Sequence, residues 1–338
     1  MRICIFGAGA VGSMIGGELT RVGQDVTLIA RGPHLDAIKA NGLTVNMAGT
    51  EHHTHPACTD DPNAPGQQDA VFFFVKGHQA ADAAEAAAPL IGPNTTVAAA
   101  QNGIPWWYFY GAGDAFENHR LKSVDADRRI WNTIGPDRVL GAVINASCAI
   151  TKPGYITHTQ KHRALTIGEP KGGESDRCRA IADAFAETSV DIPIAGDIRH
   201  VIWAKLLSNL AGSMICVLTR GTQGEIQSDP ACRALAATLM REAGRIAAAL
   251  DIDLTAEIAA KIEEDIARTS PHKPSTLQDL EAGKPMEIDD IVGAVVEISR
   301  LIDIEAPMIE AFYTLLRRTA EVAGCYPGDG SFTLAPRA

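Results

Sequence analysis

The sequence has little of several features that mark special classes of protein. Aromatic residues make up only 5% of its 338 residues. We find no apolar run long enough to cross a bilayer and no basic stripe of the kind that binds nucleic acid. The N-terminus leads directly into a strand and a glycine turn rather than into a signal sequence. We therefore expect a soluble, cytoplasmic protein that binds neither membranes nor nucleic acid.

Positive charge is also scarce. The chain has 30 Lys and Arg residues against 41 Asp and Glu residues, which gives a formal net charge of −11. This overall field would repel a nucleic-acid backbone. An anionic substrate would have to be attracted by local cations.

Metal-binding patterns are missing as well. The seven cysteines are scattered and form no CxxC pair, which is typical of reduced structural thiols. His52, His53 and His55 lie close together, but they lack the i,i+4 spacing of a helical metal site. We predict a solvated loop at these histidines and no bound metal.

What remains is a globular composition, with 46% apolar and 21% charged residues. A chain of this length usually exceeds one hydrophobic core, so we expect two domains. From Asp197 onward the apolar pattern has a period of 3.6, which predicts a helical second domain. We place the domains at 1–195 and 196–326, followed by a flexible Gly- and Pro-rich tail at 327–338.

The first thirty-one residues carry the most specific local pattern. The apolar run Arg2–Phe6 predicts a strand, and a glycine-rich turn follows it and opens a helix before a second strand at Val26–Ala30. The turn consists of Gly7, Ala8, Gly9, Ala10, Val11 and Gly12. In this context the glycines let the backbone approach a pyrophosphate, which the helix N-terminus then stabilises. The first domain is therefore predicted to be an α/β dinucleotide-binding domain.

The residue after the second strand indicates which dinucleotide binds. NAD sites usually have an acid there that holds the ribose 2′-hydroxyl, whereas this chain has Arg31. A guanidinium can form a bidentate pair with a 2′-phosphate. We therefore predict NADP(H) as the cofactor.

Two further predicted strands end in polar residues. Lys76 follows the apolar run Ala70–Val75, and Asn102 follows the run Thr95–Ala99. Ligands bind outside the carboxyl ends of parallel strands, so both residues are candidates for the same crevice. Five consecutive aromatic residues then occupy 106–110. They fit a lid or substrate wall as well as they fit packing on the fold or an oligomer contact.

A polar stripe interrupts an otherwise apolar helix predicted at 198–218. Lys205, Asn209 and Ser213 stand at successive i,i+4 positions, which places them on one face of a regular helix. Because a buried lysine is costly, this face should line a polar cleft, although Lys205 could also extend its amine to bulk water. Further along, Glu287, Asp289 and Asp290 lie in or beside the first turn of a predicted helix, where acids commonly act as dipole partners.

Taken together, these motifs resemble the ketopantoate reductase family. The matching segments are GAGAVG with Arg31, VKGHQ, Gln101-Asn102-Gly103, PGYITHT, IGE, WAKLLSN, and STLQD followed by MEID. The resemblance covers most of the chain. It implies a Rossmann-like N-terminal domain, an all-helical C-terminal domain and an active site between them. The implied activity is the NADPH-dependent reduction of 2-dehydropantoate to pantoate, a step toward pantothenate and coenzyme A.

The resemblance also implies roles for individual residues. The catalytic residues are Lys205 and Glu287. The substrate-binding residues are Asn209, Ser213, Ser275 and Asn102. The cofactor-binding residues are the six of the glycine turn together with Arg31, Lys76, Asn102 and Glu287. A lysine ammonium could stabilise the developing alkoxide and supply its proton, and Glu287 nearby would favour the charged amine.

The chain departs from the family pattern at two places near the expected substrate. Ser213 stands where the family often has a second asparagine, and the aromatic block with the segment after it is longer than usual. The alternatives are therefore a relative that reduces a bulkier 2-oxo acid, or a non-catalytic NADPH sensor that kept the fold. The sequence leaves the oligomeric state open, with a homodimer as an expectation.

Overall fold

The computed structural model describes residues 1–113, 115–158, 162–267, 270–328 and 332. These residues form two compact units. Unit 1 consists of Met1–Gln101, Trp107–His119 and Arg128–Ile198, and unit 2 consists of Asn102–Trp106, Arg120–Asp127 and the described part of Arg199–Ala338. Two short segments of the N-terminal half thus belong to the helical unit. Most of the predicted tail at 327–338 lies outside the described residues.

In the described residues, unit 1 contains the strands and five short to medium α-helices, two of which follow the aromatic block in sequence. The strands are β1 (Arg2–Phe6), β2 (Asp25–Ile29), β3 (Leu43–Met47), β4 (Thr50–Thr54), β5 (Ala57–Thr59), β6 (Ala70–Phe73), β7 (Thr96–Ala99), β8 (Val139–Asn145), β9 (Cys148–Lys152), β10 (Tyr155–His158) and β11 (Ala164–Gly168). The first helices along the chain are α1 (Ala10–Arg21), α2 (Gly32–Asn41), α3 (Ala80–Ala86), α4 (Lys122–Asp125), α5 (Arg129–Ile134) and α6 (Asp176–Ala184), of which α4 falls in unit 2.

Seven strands form the main sheet in the order β11-β8-β7-β6-β1-β2-β5. Every neighbouring pair is parallel except β11 with β8. β1, β6 and β7 are apolar and almost wholly buried, as expected of parallel strands that are covered on both faces. The register pairs Phe6 with both Ile29 and Phe73. The glycine turn and the residues after β2 and β6 therefore follow strands that end at the same level, and the predicted Rossmann-like sheet is confirmed.

A second, four-stranded sheet has the order β4-β3-β10-β9 and packs against α1. It contains His52 and His53, so the predicted solvated loop is wrong for these two residues, whereas His55 is exposed just after β4. His52 and His53 lie within β4, paired with β3. His52 Nδ1 lies 2.8 Å from the buried carboxylate of Glu18, and His53 Nδ1 lies 3.0 Å from Thr44 Oγ1. A two-residue turn at positive φ, Ala48-Gly49, makes this hairpin possible.

The aromatic block is packed into the protein. Trp106, Trp107, Tyr108 and Phe109 are all buried, and Tyr108 and Phe109 pack edge to face with ring centroids 4.9 Å apart. Gly141 leaves room for Trp107, because a Cβ there would lie 2.9 Å from the indole ring. This observation favours packing on the fold over a lid or an open substrate wall.

Unit 2 is helical, as predicted. Its further helices are α7 (Ile198–Ser208), α8 (Met214–Thr219), α9 (Gln223–Ser228), α10 (Pro230–Ala248), α11 (Thr255–Ala267), α12 (Ser275–Glu281), α13 (Ala294–Leu301) and α14 (Pro307–Val322). The sequence prediction missed α9 and α12, which are too short for a periodic pattern to be recognised. For α11 the apolar pattern predicts a helix over 255–269, of which 268 and 269 lie outside the described residues.

The central helix of unit 2 runs from Ile198 to Thr219. Contrary to the prediction, this stretch is long and apolar enough to cross a membrane by length and composition, with a mean hydropathy of 1.7. However, 61% of that window is buried inside the protein. The same test is passed by core helices of globular proteins, which is how we interpret it.

Candidate functional site

The glycine turn of unit 1 has the geometry of a phosphate-binding loop. Gly7 has a positive φ of 96°, and Ala8 N–H donates to the Ile29 carbonyl at 2.9 Å. A Cβ at Gly12 would lie 2.3 Å from the Gly7 carbonyl oxygen, so only glycine fits there. By contrast, a Cβ at Gly9 would have no neighbour within 4 Å. Gly9 therefore borders open space, and α1 begins beyond it without a side-chain cap.

Three consecutive hydrogen bonds connect this turn to α2 and to the loop before β10. Gly154 N–H donates to His34 Nδ1 at 3.0 Å, so Nε2 carries the proton of the neutral ring. His34 Nε2 then donates to Ser13 Oγ at 2.9 Å, and Ser13 Oγ donates to the Ala8 carbonyl at 3.1 Å. Burial lowers the pKa of His34. Sequence reasoning missed these residues, because a polar side chain beside a glycine turn carries no pattern of its own.

Arg31 and Lys76 follow two strands of the main sheet. Arg31 is exposed and lies at the start of α2, and Ala30 before it is buried. Lys76 is half-buried and precedes a short 3₁₀ turn at Gly77–Gln79. Unit 1 thus offers an open helix N-terminus and a cation at the end of β2, which fits a dinucleotide with a 2′-phosphate.

In unit 2 the structure brings together three of the predicted site residues. Lys205 Nζ on α7 donates to Asn102 Oδ1 at 2.9 Å. Asn102 Nδ2 in turn donates to Glu287 Oε2 at 3.5 Å, a long contact. Because a cation requires the amide oxygen and a carboxylate requires the amide nitrogen, the two partners fix the orientation of the Asn102 amide.

The protonation of Lys205 is set by two opposing effects. Burial disfavours the ammonium, whereas the charge of Glu287 favours it, and together they lower the pKa of Lys205 to about 8. An amine with such a pKa is largely protonated at neutral pH yet gives up its proton more readily than an exposed lysine. The structure does not favour the alternative in which Lys205 extends into bulk water, since its side chain is half-buried and its amine donates to Asn102.

Lys205, Asn209 and Ser213 do not keep the regular helical spacing that the sequence predicted. Asn209–Ser213 forms a π-helical turn between α7 and α8, so the i,i+4 alignment of a regular helix is broken there. Asn209 remains half-buried one turn beyond Lys205, whereas Ser213 is buried. Ser275 is the first residue of α12, and α12 packs against this π-helical turn.

A second π-helical turn, Asp289–Gly293, precedes α13 and contacts the first one. Its acids do not act as solvated dipole partners, so that interpretation is wrong for the aspartates. Asp289 accepts hydrogen bonds from the hydroxyls of Tyr313 and Tyr326 at 2.9 and 2.7 Å. Asp290 is buried, and burial together with the neighbouring charge of Glu287 raises its pKa well above the ordinary value.

The backbone of this second turn holds the segment that carries Asn102. Ile104 N–H donates to the Asp290 carbonyl at 2.9 Å. A Cβ at Gly103 would lie 2.1 Å from the same carbonyl oxygen, and Gly103 has a φ of 85°. The glycine after Asn102 therefore allows the close approach that positions the Asn102 side chain.

The predicted residues fall into two groups. The glycine turn, Arg31 and Lys76 belong to unit 1, and the remaining predicted residues belong to unit 2. The second group comprises Asn102, Lys205, Asn209, Ser213, Ser275 and Glu287. Sequence reasoning missed the two tyrosines on Asp289, because they come from a helix and a loop distant in sequence.

Two family models match the chain. The model described as "Ketopantoate reductase PanE/ApbA" matches residues 3–172, and the one described as "Ketopantoate reductase PanE/ApbA C terminal" matches residues 197–320. A 2-dehydropantoate 2-reductase from Mesorhizobium japonicum is 40% identical over 327 residues, which are 96% of this chain and 100% of that protein.

Solved structures show the same fold. A crystal structure from Ralstonia solanacearum MolK2, described as a ketopantoate reductase, has a TM-score of 0.90 and 35% identity, covering 96% of this chain and 99% of that one. A D-mandelate dehydrogenase solved with NADH and anilino(oxo)acetate has a TM-score of 0.80, with the same coverages. At 21% identity this second likeness shows the fold alone.

Proposed function

The chain belongs to the ketopantoate reductase family, and we propose that it reduces 2-dehydropantoate to pantoate with NADPH. This reaction is a step toward pantothenate and coenzyme A. The observation that carries the proposal is the linked group of Lys205, Asn102 and Glu287, with a lysine whose pKa lies near 8. The 40% identical relative from Mesorhizobium japonicum supports the same substrate.

We assign cofactor binding in unit 1 to the glycine turn and Arg31. The open space at Gly9 gives a pyrophosphate access to the N–H groups of the α1 N-terminus. Arg31 suits the 2′-phosphate, and the family resemblance adds Lys76, Asn102 and Glu287. When bound, NADPH supplies the hydride that the C2 carbonyl of the substrate accepts.

We assign the proton transfer to Lys205. As C2 is reduced, negative charge develops on the carbonyl oxygen, and the Lys205 ammonium both stabilises this charge and donates its proton. Glu287 keeps the amine protonated at neutral pH by opposing the effect of burial. Asn102 holds the lysine through its amide oxygen, so that the ammonium has a defined position before reaction.

We assign substrate binding to Asn209, Ser213 and Ser275, together with Asn102. Asn209 and Ser213 belong to the π-helical turn, and Ser275 begins the helix that packs against it. Such turns occur frequently at functional sites. The burial of the aromatic block weakens the argument for a bulkier 2-oxo acid, whereas Ser213 in place of asparagine keeps that alternative in the test.

The remaining parts of the proposal concern location and partners. A cytoplasmic protein without a nucleic-acid partner agrees with the net charge of −11. A homodimer is the oligomeric state that we test, by light scattering after size-exclusion chromatography.

The proposed function is tested by following NADPH absorbance with purified protein and a panel of 2-oxo acids. We expect turnover of 2-dehydropantoate with a kcat/KM far above that of bulky aromatic 2-oxo acids. Preference for an aromatic acid would keep the chemistry and replace the substrate. NADPH binding without turnover of any acid would favour the non-catalytic sensor.

A further inference from the structure

Unit 2 contains a pocket that none of the assigned site residues lines. It lies between α7, the π-helical turn, α9, α10 and α11, with an empty volume of about 610 Å³ that includes its mouth. We call it the α9–α11 pocket. Without the solvent at its mouth, the cavity volume is about 70 Å³.

The charged side chains among its described lining residues are both cations. Lys261 on α11 and Arg233 on α10 both border the α9–α11 pocket, and no carboxylate is among its lining residues in the described part of the chain. In a chain of net charge −11, such a local surplus of positive charge is unusual. The acid closest in sequence to Arg233, Asp229, accepts a hydrogen bond from Cys232 N–H at 2.8 Å as the N-cap of α10.

Both cations are held in place by neighbouring residues. Lys261 Nζ donates to Ser208 Oγ at 2.6 Å, and Arg233 Nη1 donates to the Gln227 carbonyl at 2.6 Å. An ammonium has three N–H donors and a guanidinium has five, so these bonds use a small part of their capacity. Fixed cations of this kind bind an anion without a large cost in side-chain entropy.

The rest of the α9–α11 pocket is partly polar, with Ser208, Gln223 and Gln227, and partly apolar. Leu207, Ile226 and Met240 are buried and line it. Gly212 lines it as well, and a Cβ at Gly212 would have no heavy atom within 4 Å. The pocket therefore combines an apolar floor with two cations, which suits an organic anion that has an apolar body.

We propose that the α9–α11 pocket is a binding site for small organic anions with an apolar body, separate from the catalytic site, and that its occupant alters substrate binding. The second part depends on the proposed function. Ala211 and Gly212 of the π-helical turn line the pocket, whereas Asn209 and Ser213 of the same turn are assigned to the substrate. An occupant of the pocket thus contacts the backbone that positions those two residues.

The binding claim is tested by fluorescence titration with 8-anilino-1-naphthalenesulfonate, an anion with an aromatic body, in the presence of saturating NADPH. N-phenyl-1-naphthylamine serves as its neutral counterpart. We expect saturable binding of the anion, weakened about 5- to 10-fold in Lys261→Met and in Arg233→Met, as loss of a partly exposed charge-assisted contact predicts. Lys122→Met, an exposed lysine of unit 2, is the matched control and should bind like the wild type.

Gly212→Leu provides a second variant, because its side chain would extend into open space in the pocket. We expect it to weaken the anion at least as much as Lys261→Met does. Equal binding of the neutral probe, or unchanged affinity for the anion in all three variants, would overturn the binding claim. Circular dichroism and thermal melting of each variant separate loss of the pocket from loss of the fold.

The coupling claim is tested with steady-state kinetics. Saturating sulfonate probe should change the KM for 2-dehydropantoate at least 2-fold in the wild type and in Lys122→Met, and this change should disappear in Gly212→Leu. An unchanged KM with the probe bound would refute the coupling. If the protein turned over no 2-oxo acid, the proposed function would fail, while the titration would still decide whether the pocket binds anions.

Discussion

The two sites that we propose, the glycine turn of unit 1 and the lysine group of unit 2 (Lys205, Asn102 and Glu287), differ in what they present to a ligand. The turn presents backbone N–H groups, and its essential residues are glycines that leave space. The lysine group presents buried and half-buried side chains, and the charge of Glu287 raises the pKa of Lys205. Ligand binding at the glycine turn should therefore be sensitive to substitutions that add atoms. The function of the lysine group should instead be sensitive to pH and to substitutions that remove a charge.

The largest effect is expected from removing the amine of the lysine group. Lys205→Met should lower kcat for 2-dehydropantoate about 100- to 10,000-fold, because the developing alkoxide loses both its stabilising charge and its proton donor. NADPH affinity, measured by fluorescence titration, should change by less than about 3-fold if the glycine turn supplies most of the binding.

Lys122→Met is the control for this substitution and should retain wild-type kcat. Near wild-type turnover in Lys205→Met would contradict the division in which the glycine turn binds NADPH and the lysine group carries out the chemistry. Loss of NADPH binding as large as the loss of kcat would contradict the division as well.

The glycine turn can be probed with a matched pair of substitutions. Gly12→Ala places a Cβ 2.3 Å from the Gly7 carbonyl oxygen, so it should destabilise unit 1 by about 1–3 kcal/mol, measured by thermal melting. Gly9→Ala meets no protein atom within 4 Å and should leave the melting temperature unchanged. It should instead weaken NADPH about 10-fold, because its methyl group occupies the space proposed for the pyrophosphate.

Equal melting temperatures for the two alanine variants would contradict the packing that the structure shows at Gly12. Unchanged NADPH affinity in Gly9→Ala would show that the open space beside Gly9 is not where the phosphates bind.

Arg31, which follows β2, is the charged side chain that we assign to the 2′-phosphate of the cofactor. Arg31→Ala should reduce the preference for NADPH over NADH about 10- to 100-fold in kcat/KM, as loss of a charge-assisted pair predicts. Arg318→Ala, an exposed arginine of unit 2, is its control. An unchanged preference in Arg31→Ala would assign the 2′-phosphate to another residue.

The smallest expected effect is a dependence of the stability of unit 1 on pH, caused by His34. The pKa of His34 is lowered by burial, so below the ordinary histidine pKa the unfolded chain binds a proton that the folded protein resists. Stability should therefore fall as the pH is lowered from about 7 to 5, by about 1.4 kcal/mol for each unit of difference in pKa.

His34→Gln keeps an acceptor for Gly154 N–H and a donor for Ser13, so it should reduce this loss of stability. Thermal melts at pH 7 and pH 5 measure it for both proteins. The same loss in wild type and variant would show that His34 does not contribute.

The comparison of the two regions also explains which features could be predicted from the sequence. The glycine turn, Arg31 and the strands on either side of the turn follow from local patterns, because backbone geometry in a strand-turn-helix unit is determined by nearby residues. The polar stripe indicates Lys205 as a cleft residue, and the family resemblance implies the catalytic roles of Lys205 and Glu287. Their linkage through Asn102 required the structure. Asn102 is separated from both by about a hundred residues or more, a distance over which no periodic pattern reports contact.

The helix phase in unit 2 was beyond local reasoning. Lys205, Asn209 and Ser213 match a regular helix by spacing, and the π-helical turn that separates them leaves no mark in the apolar pattern. This turn packs against α10, α12 and the second π-helical turn. The burial of Asp290 was not predicted either, because an acid near a helix start is usually solvated.

The pH dependence of kcat/KM for 2-dehydropantoate tests most directly whether Lys205 is the proton donor controlled by Glu287. Since the ammonium is the active form, kcat/KM should decrease as the pH rises through about 8, the pKa of Lys205 in the free enzyme. Glu287 raises that pKa, so in Glu287→Gln the decrease should move to lower pH. A profile that is flat across this range, or one that stays in place in Glu287→Gln, would contradict the account.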